Sequence, residues 1–384
     1  MSAISLGWFH RYPARFSAEV LTLMLEGLTA RLGRQPSRLL DPFAGTAASI
    51  SAASQLGIPS VGIELSPLGL LIAQVRLGPP QDLDKTVDLA EEWARSTSPA
   101  KPTCDEELAG WIGRSNARAL TGYLYRLAHV ADPSKRRFLA LAISGALRPS
   151  SVWLPGSIKP QIDPTRKPPR IGDQLIRVAR SLRRDCLLEH PRLLASAEIV
   201  LGDATQLRYR ESFDAILTSP PYFVTYDYFD VQRLTYLAFG WPVRNHDQVG
   251  RSSGIEQDGH GFLPPTALND WYFVKFNHEG TVLGRALRLY VQALERHLRV
   301  AYRALSPRSV AAYAVADSVR LGEQFPLVAA MAQLAKRVGF TTVEIEPRAI
   351  TSRRILPPGR SRRTGRFTRG HTYAIREAVI FATK

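Results

Sequence analysis

The chain has 384 residues, 45% of them hydrophobic, a net charge of +16 and only two cysteines, Cys104 and Cys186. That composition suits one large α/β unit or two to three domains, and the excess of cation points to a polyanionic partner, nucleic acid well ahead of a membrane surface. It speaks against a disulfide framework, a structural zinc site and, with no apolar run near 18 residues, a membrane span; the first residues also lack the apolar stretch of a secretion signal, so a reducing cytoplasm is the expected setting.

In chain order, SAEVLTLMLEGLTARL (17–32) has helical periodicity behind a Ser17 cap. SRLLDPFAG predicts a short buried strand, Arg38 to Leu40, running into a turn, and TAASISAASQLG a small-residue helix closed by Gly57. SVGIEL is a second strand with Glu64 near its tip, and SPLGLLIAQVRLG opens with Ser-Pro, a good helix start. Such a β-α-β-α run marks a parallel sheet. From 78 to 196 the pattern changes to helical stretches joined by Pro/Arg-rich connectors. One of them, IGDQLIRVARSLRRDCLLEH, places Arg177, Arg180 and Arg184 on one helical face. Strands resume with AEIVLGDA (197–204) and FDAILTSPP (213–221), and 240–282 reads as a second, irregular insertion. A long helix then carries Leu287, Val291, Leu294, Leu298 and Leu305 at 3–4 spacing, followed by strand, helix, strand and strand, the last expected to join the sheet antiparallel.

Three strand ends and one stiff tip carry the chemistry. The turn after the first strand contains Gly45, which lets a ligand approach the backbone, although such a turn also occurs as a plain βα connection. Neither GxxxxGK[ST] nor GxGxxG is present. Glu64 follows about 20 residues later, where an acid can accept hydrogen bonds from ribose hydroxyls, and Asp203 ends the third strand. In TSPPYFVTYDY (218–228) the strand stops because Pro220 and Pro221 donate no N–H and fix φ. An exocyclic amino group on an aromatic base is a poor nucleophile because its lone pair is delocalised. The Ser219 hydroxyl and the Pro220 carbonyl are two acceptors that would draw such a nitrogen toward tetrahedral geometry, while Tyr222 or Phe223 offers a stacking face for a base taken out of a duplex.

DPFAG followed by TSPPY resembles the amino-methyltransferases of DNA, which methylate cytosine N4 or adenine N6 with S-adenosylmethionine. FHRYPARFS (9–17) is similar to that family's N-terminal cofactor segment, and the resemblance covers roughly 1–77 and 197–384. It implies a Rossmann-like seven-stranded sheet with one antiparallel strand, built from 1–77 and 197–384; the mainly helical 78–196 between them is an insertion unusual for the family, and it and 240–282 are candidates for target recognition. It implies that Phe16, Asp41, Phe43 and Gly45 meet the cofactor, that Glu64 holds its ribose and Asp203 its adenine, and that Ser219, Pro220, Pro221 and Tyr222 hold the target base. Ser rather than Asp at position 219 favours the cytosine-N4 branch, with double-stranded DNA as partner and, in a restriction–modification pair, a companion endonuclease. The chain departs from the family at Ala47, where a second glycine is usual.

Adenine-N6 methylation, RNA base methylation and a catalytically silent DNA-binding subunit stay open as alternatives. Methylation at cytosine C5 needs a nucleophilic cysteine, and neither Cys104 nor Cys186 sits in a fitting context. Residues 351–371 hold seven arginines and no acid between the last two strands; Arg353, Arg354, Arg360, Arg362, Arg363 and Arg366 are candidate phosphate contacts. His246, His260, His278 and His371 fit no metal motif, so no metal is expected.

Overall fold

The computed structural model describes the chain apart from residues 1–3, 13–15, 97–104, 158, 224–228, 243–261, 322 and 349–373. Its helices are α1 (Ala18–Leu32), α2 (Ala48–Gln55), α3 (Pro67–Leu77), α4 (Leu83–Arg95), α5 (Glu106–Ile112), α6 (Arg114–Ala128), α7 (Pro133–Leu147), α8 (Ile171–Glu189), α9 (Arg233–Phe239), α10 (Val282–Ala304) and α11 (Leu327–Val338). The strands are β1 (Leu39–Asp41), β2 (Ser60–Glu64), β3 (Ala197–Leu201), β4 (Phe213–Thr218), β5 (Leu305–Arg320), β6 (Glu323–Phe325), β7 (Thr342–Arg348) and β8 (Ala374–Thr383). Ser17 and Ser66 cap α1 and α3 by accepting the Val20 and Gly69 N–H groups.

Seven strands form one mixed sheet in the order β3-β2-β1-β4-β5-β8-β7. The first four pairings are parallel, and β8 lies antiparallel between β5 and β7, as the sequence pattern predicts. The short β6, which the pattern does not reveal, pairs with the end of β5. The long helical stripe also ends earlier than its spacing suggests: Leu305 is the first residue of β5, its apolar side chain continuing the stripe into the sheet.

Strand alternation sends successive side chains to opposite faces. Ala215 and Leu217 of β4 pack with α1 and α2, whereas Ile216 packs with α10 and α11. A third core is built by the insertion. Trp93, Leu120, Phe138 and Leu175 from α4, α6, α7 and α8 share it with Leu68, Ile72 and Val75 of α3 and with Phe9 and Tyr236. The 78–196 segment is thus mainly helical, as expected, but it is built onto α3. A buried ion pair between Arg76 of α3 and Glu189 of α8, at 3.4 Å, ties the two together. Among the described residues no helix is long and apolar enough to cross a membrane.

Candidate active site

β1 is flanked by β2 on one side and β4 on the other, so the chain leaves the sheet centre in two directions at its carboxyl end. In doubly wound sheets such a switch point opens a crevice for ligands. Asp41 closes β1 with only 1% of its surface exposed. Its Oδ1 accepts the Phe43 N–H at 3.0 Å and the Thr218 hydroxyl at 2.6 Å, and its Oδ2 accepts the Ser49 hydroxyl. One carboxylate therefore pins the turn, the start of α2 and the end of β4. Asp41 itself is not among the residues that line the pocket, while its neighbours Pro42 and Phe43 are. Burial pushes the Asp41 pKa up to about 6 against those hydrogen bonds.

Beyond Asp41 the chain enters the left-handed region twice, at Gly45 (φ +54°) and at Ala47 (φ +57°). Gly45 turns its N–H to Oε2 of Glu64 at 2.7 Å, and Ser66 gives its N–H to Oε1 at 2.7 Å. Glu64 is thereby locked at the tip of β2. Burial raises its pKa to about 7, the two backbone donors opposing and the nearby Asp41 charge adding. Ala47 sits fully buried at a backbone angle that disfavours any Cβ.

Pro42, Phe43, Gly45, Glu64 and Asp203 line one partly open pocket of about 120 Å³ together with Ser219, Pro220, Pro221 and Tyr222. The structure thus brings together nine residues drawn from the ends of four adjacent parallel strands, eight of them among the expected site residues. Asp203 is fixed by the Thr205 N–H at 2.7 Å and the Gln206 amide at 2.8 Å. The Ser219 and Tyr222 hydroxyls lie 3.5 Å apart. Tyr290 of α10 donates to the Pro221 carbonyl at 3.0 Å and holds the Pro-Pro unit from below.

Phe223 and Phe16 do not line this pocket. Phe223 is buried, stacked on Phe325 with ring centroids 5.4 Å apart and packed against Tyr290, so Tyr222 alone of the pair faces the pocket. Phe16 lines a separate depression with Thr46, Ala48 and Arg76, and Tyr12 takes the wall position instead. The six candidate arginines of the 351–371 segment lie outside the described residues. Cys186 is buried, its thiol pushed up to about 12 by burial, which fits an inert side chain.

Sequence reasoning misses His297. From α10 its Nδ1–H donates to the Ala204 carbonyl at 3.0 Å, which leaves Nε2 to accept from the Tyr313 hydroxyl at 3.2 Å. Its ring packs on Phe43, centroids 4.7 Å apart, so one neutral imidazole supports both the β3 loop and the β1 turn. Burial pulls its pKa down to about 4. The available signal was a histidine three residues after Leu294 inside an apolar stripe. Tyr236, whose hydroxyl meets Ser66 Oγ at 2.9 Å, likewise folds the chain beyond the Pro-Pro tip back onto the α3 cap.

No protein-family model and no curated protein matches the chain. Among solved structures, the rRNA methyltransferase AviRa from Streptomyces viridochromogenes aligns at 14% identity over 97% of this chain and 88% of that one, with a TM-score of 0.33. A second structure of that protein gives 13% identity over the same shares and a TM-score of 0.29. A protein described as a possible exported protein, from Bordetella parapertussis, gives 11% identity over 96% of this chain and 97% of that one, with a TM-score of 0.18. Scores this low carry no weight for the site, whose reading rests on its own geometry.

Proposed function

We propose that the chain is an S-adenosylmethionine-dependent methyltransferase that modifies the exocyclic N4 of a cytosine flipped out of duplex DNA. The observation that carries this reading is a single pocket joining acidic strand ends to a Ser-Pro-Pro-Tyr tip. Its donors and acceptors suit the cofactor. Each Glu64 oxygen accepts one backbone N–H and keeps acceptor capacity for a ribose hydroxyl, Asp203 is aligned to accept from an amine, and Gly45 presents no side chain to the cavity. A pocket of about 120 Å³ suits only part of such a molecule, so the remainder would extend beyond it.

The cofactor supplies an electrophilic methyl group on a positively charged sulfur. The protein's task is to ready the nitrogen that attacks it. Ser219 Oγ and the Pro220 carbonyl would each accept one N–H of the amino group, turning its lone pair out of conjugation, while Tyr222 stacks on the base. Tyr290, by holding the Pro221 carbonyl, would keep the Pro-Pro unit in place before substrate arrives. As the nitrogen gains the methyl, the carbon–sulfur bond would break with its electron pair left on a neutral thioether; the alkylated nitrogen, now cationic and acidic, would lose its proton to water in the open part of the pocket without a strong base.

Incubation of the purified protein with S-adenosylmethionine and unmethylated duplex DNA, followed by hydrolysis and mass spectrometry of the nucleosides, tests the proposal. N4-methylcytosine is expected. N6-methyladenine would overturn the base assignment, and no methylated nucleoside would overturn the DNA reading.

A further inference from the structure

A second cavity, about 710 Å³, lies between the N-terminal segment, α7, α8 and the start of α9. Its volume is in the range that encloses a nucleotide-sized ligand. Arg11, Arg148, Arg166, Arg177, Arg180 and Arg184 line it, and among the described residues no carboxylate does. Arg180 is neutralised by Glu91 at 2.6 Å; among the described residues no ion pair reaches the other five. Two of these form a stiff rear wall. Arg148 lies over the Trp153 ring at 4.2 Å, and Arg166 donates to the carbonyls of Trp153 at 3.0 Å and Pro149 at 2.9 Å. Arg11, Arg177 and Arg184 are exposed, the last two on one face of α8. Trp8 stands beside them with 59% of its surface exposed, an unusual position for so large an apolar ring.

The cavity also neighbours the candidate active site. Arg11 and Val231 face the cavity, while Tyr12 and Phe229, one and two residues away in the chain, face the pocket. A ligand entering the pocket from a longer molecule would leave its flanking part close to the arginines.

We propose that this groove holds a stretch of polynucleotide strand beside the target base, with phosphates on Arg11, Arg177 and Arg184 and one base against Trp8. Guanidinium groups match phosphate oxygens, and an exposed indole among cations is the arrangement by which single strands are stacked without regard to sequence. A bound phosphodiester would also balance charge that the protein leaves unbalanced. Burial, with the Arg11 and Arg166 charges adding, already pulls the Arg148 guanidinium down to about 9. The inference rests on a polynucleotide substrate but is separable from it by experiment.

The test is binding of a fluorescent oligonucleotide to the full chain across a salt series. It compares wild type, the Arg177→Gln/Arg184→Gln pair, Trp8→Ala, and a control pair of exposed arginines outside the groove, Arg118→Gln/Arg136→Gln. The groove pair should flatten the slope of log K against log salt by about two, the control pair by much less, and Trp8→Ala should weaken binding roughly tenfold. Unlabelled oligonucleotide should displace the probe where inorganic phosphate or a mononucleotide at equal phosphate does not. Wild type that binds no oligonucleotide at low salt would overturn the polynucleotide reading altogether. Wild type that binds while the groove pair behaves like the control pair would overturn the groove alone, as would displacement by free phosphate.

Discussion

The candidate active site and the arginine groove are built on opposite charges although neighbouring residues of the same two chain segments line both. The pocket ends four parallel strands, presents Glu64 and Asp203, and has a buried carboxylate, Asp41, just before its lining residues Pro42 and Phe43. The groove is set among helices and presents arginines without a lining acid. Rigid sheet ends position a few acceptors to within a hydrogen bond, which suits a small cationic cofactor and an amino group. Helices supply long side chains that follow a backbone of repeated charges, which suits a polymer. Net charge alone merges these into one number, +16, and hides the acidic site inside a basic protein.

If that division of labour holds, damage to one region should leave the signature of the other intact. The largest effect belongs to Ser219→Ala, which removes one of two acceptors for the amino group. Turnover should fall on the order of a hundredfold with little change in cofactor affinity by calorimetry, and unchanged turnover would dismiss the role. Next comes Glu64→Gln, which exchanges an acceptor for a donor facing a backbone N–H. Cofactor affinity should drop about 10- to 100-fold, as for loss of a hydrogen bond to a charged group, while the salt dependence of oligonucleotide binding keeps its slope.

The same substitution has a pH signature. Asp41 and Glu64 have folded pKa values raised to about 6 and about 7, so each contributes stability that is present at low pH and lost as pH climbs through those values, on the order of 3 kcal/mol apiece. His297, lowered to about 4, works in the opposite sense: its contribution is present above its ordinary value near 6.5 and lost as pH falls to 4. The sum is a net fall of roughly 3 kcal/mol between pH 4 and 7, and Glu64→Gln should level it, since Asp41 and His297 then offset each other. Urea melts at pH 4.5, 5.5, 6.5 and 7.5 would show it. The smallest effect is expected from Ala47→Gly. Relief of a left-handed alanine, about 1–2 kcal/mol, is offset by glycine's greater chain entropy and a lost buried methyl, about 0.5–1 and 0.8 kcal/mol, so stability should move by less than about 1 kcal/mol.

How much of this was legible in the sequence depended on how local each signal was. The first two strands, their helices and caps could be read because Ser17, Ser66 and the 3.6 and 2.0 periodicities act over a few residues. The antiparallel placement of the last strand followed from the closing strand–helix–strand–strand pattern, whereas the order of the strands across the sheet did not. The docking of the insertion on α3 could not be read, because an apolar helix face does not name its partner. Tyr222 and Phe223 are adjacent aromatics in the turn beyond β4, and only the fold shows that the second goes into the core. His297 was hidden because a histidine in a leucine stripe looks like an interruption until Ala204 and Tyr313 close around it.

The hydrogen bond from Thr218 to Asp41 bears on how this site could be re-engineered. Grafting the strand tip of another protein to change what the pocket accepts would replace position 218 as well. A valine there has nearly the shape of threonine and no hydroxyl, so the graft would fit sterically yet leave a sequestered carboxylate short of one donor. The exchangeable module is therefore a pair of positions 177 residues apart, Asp41 with Thr218, and a library varying the tip should hold residue 218 to serine or threonine.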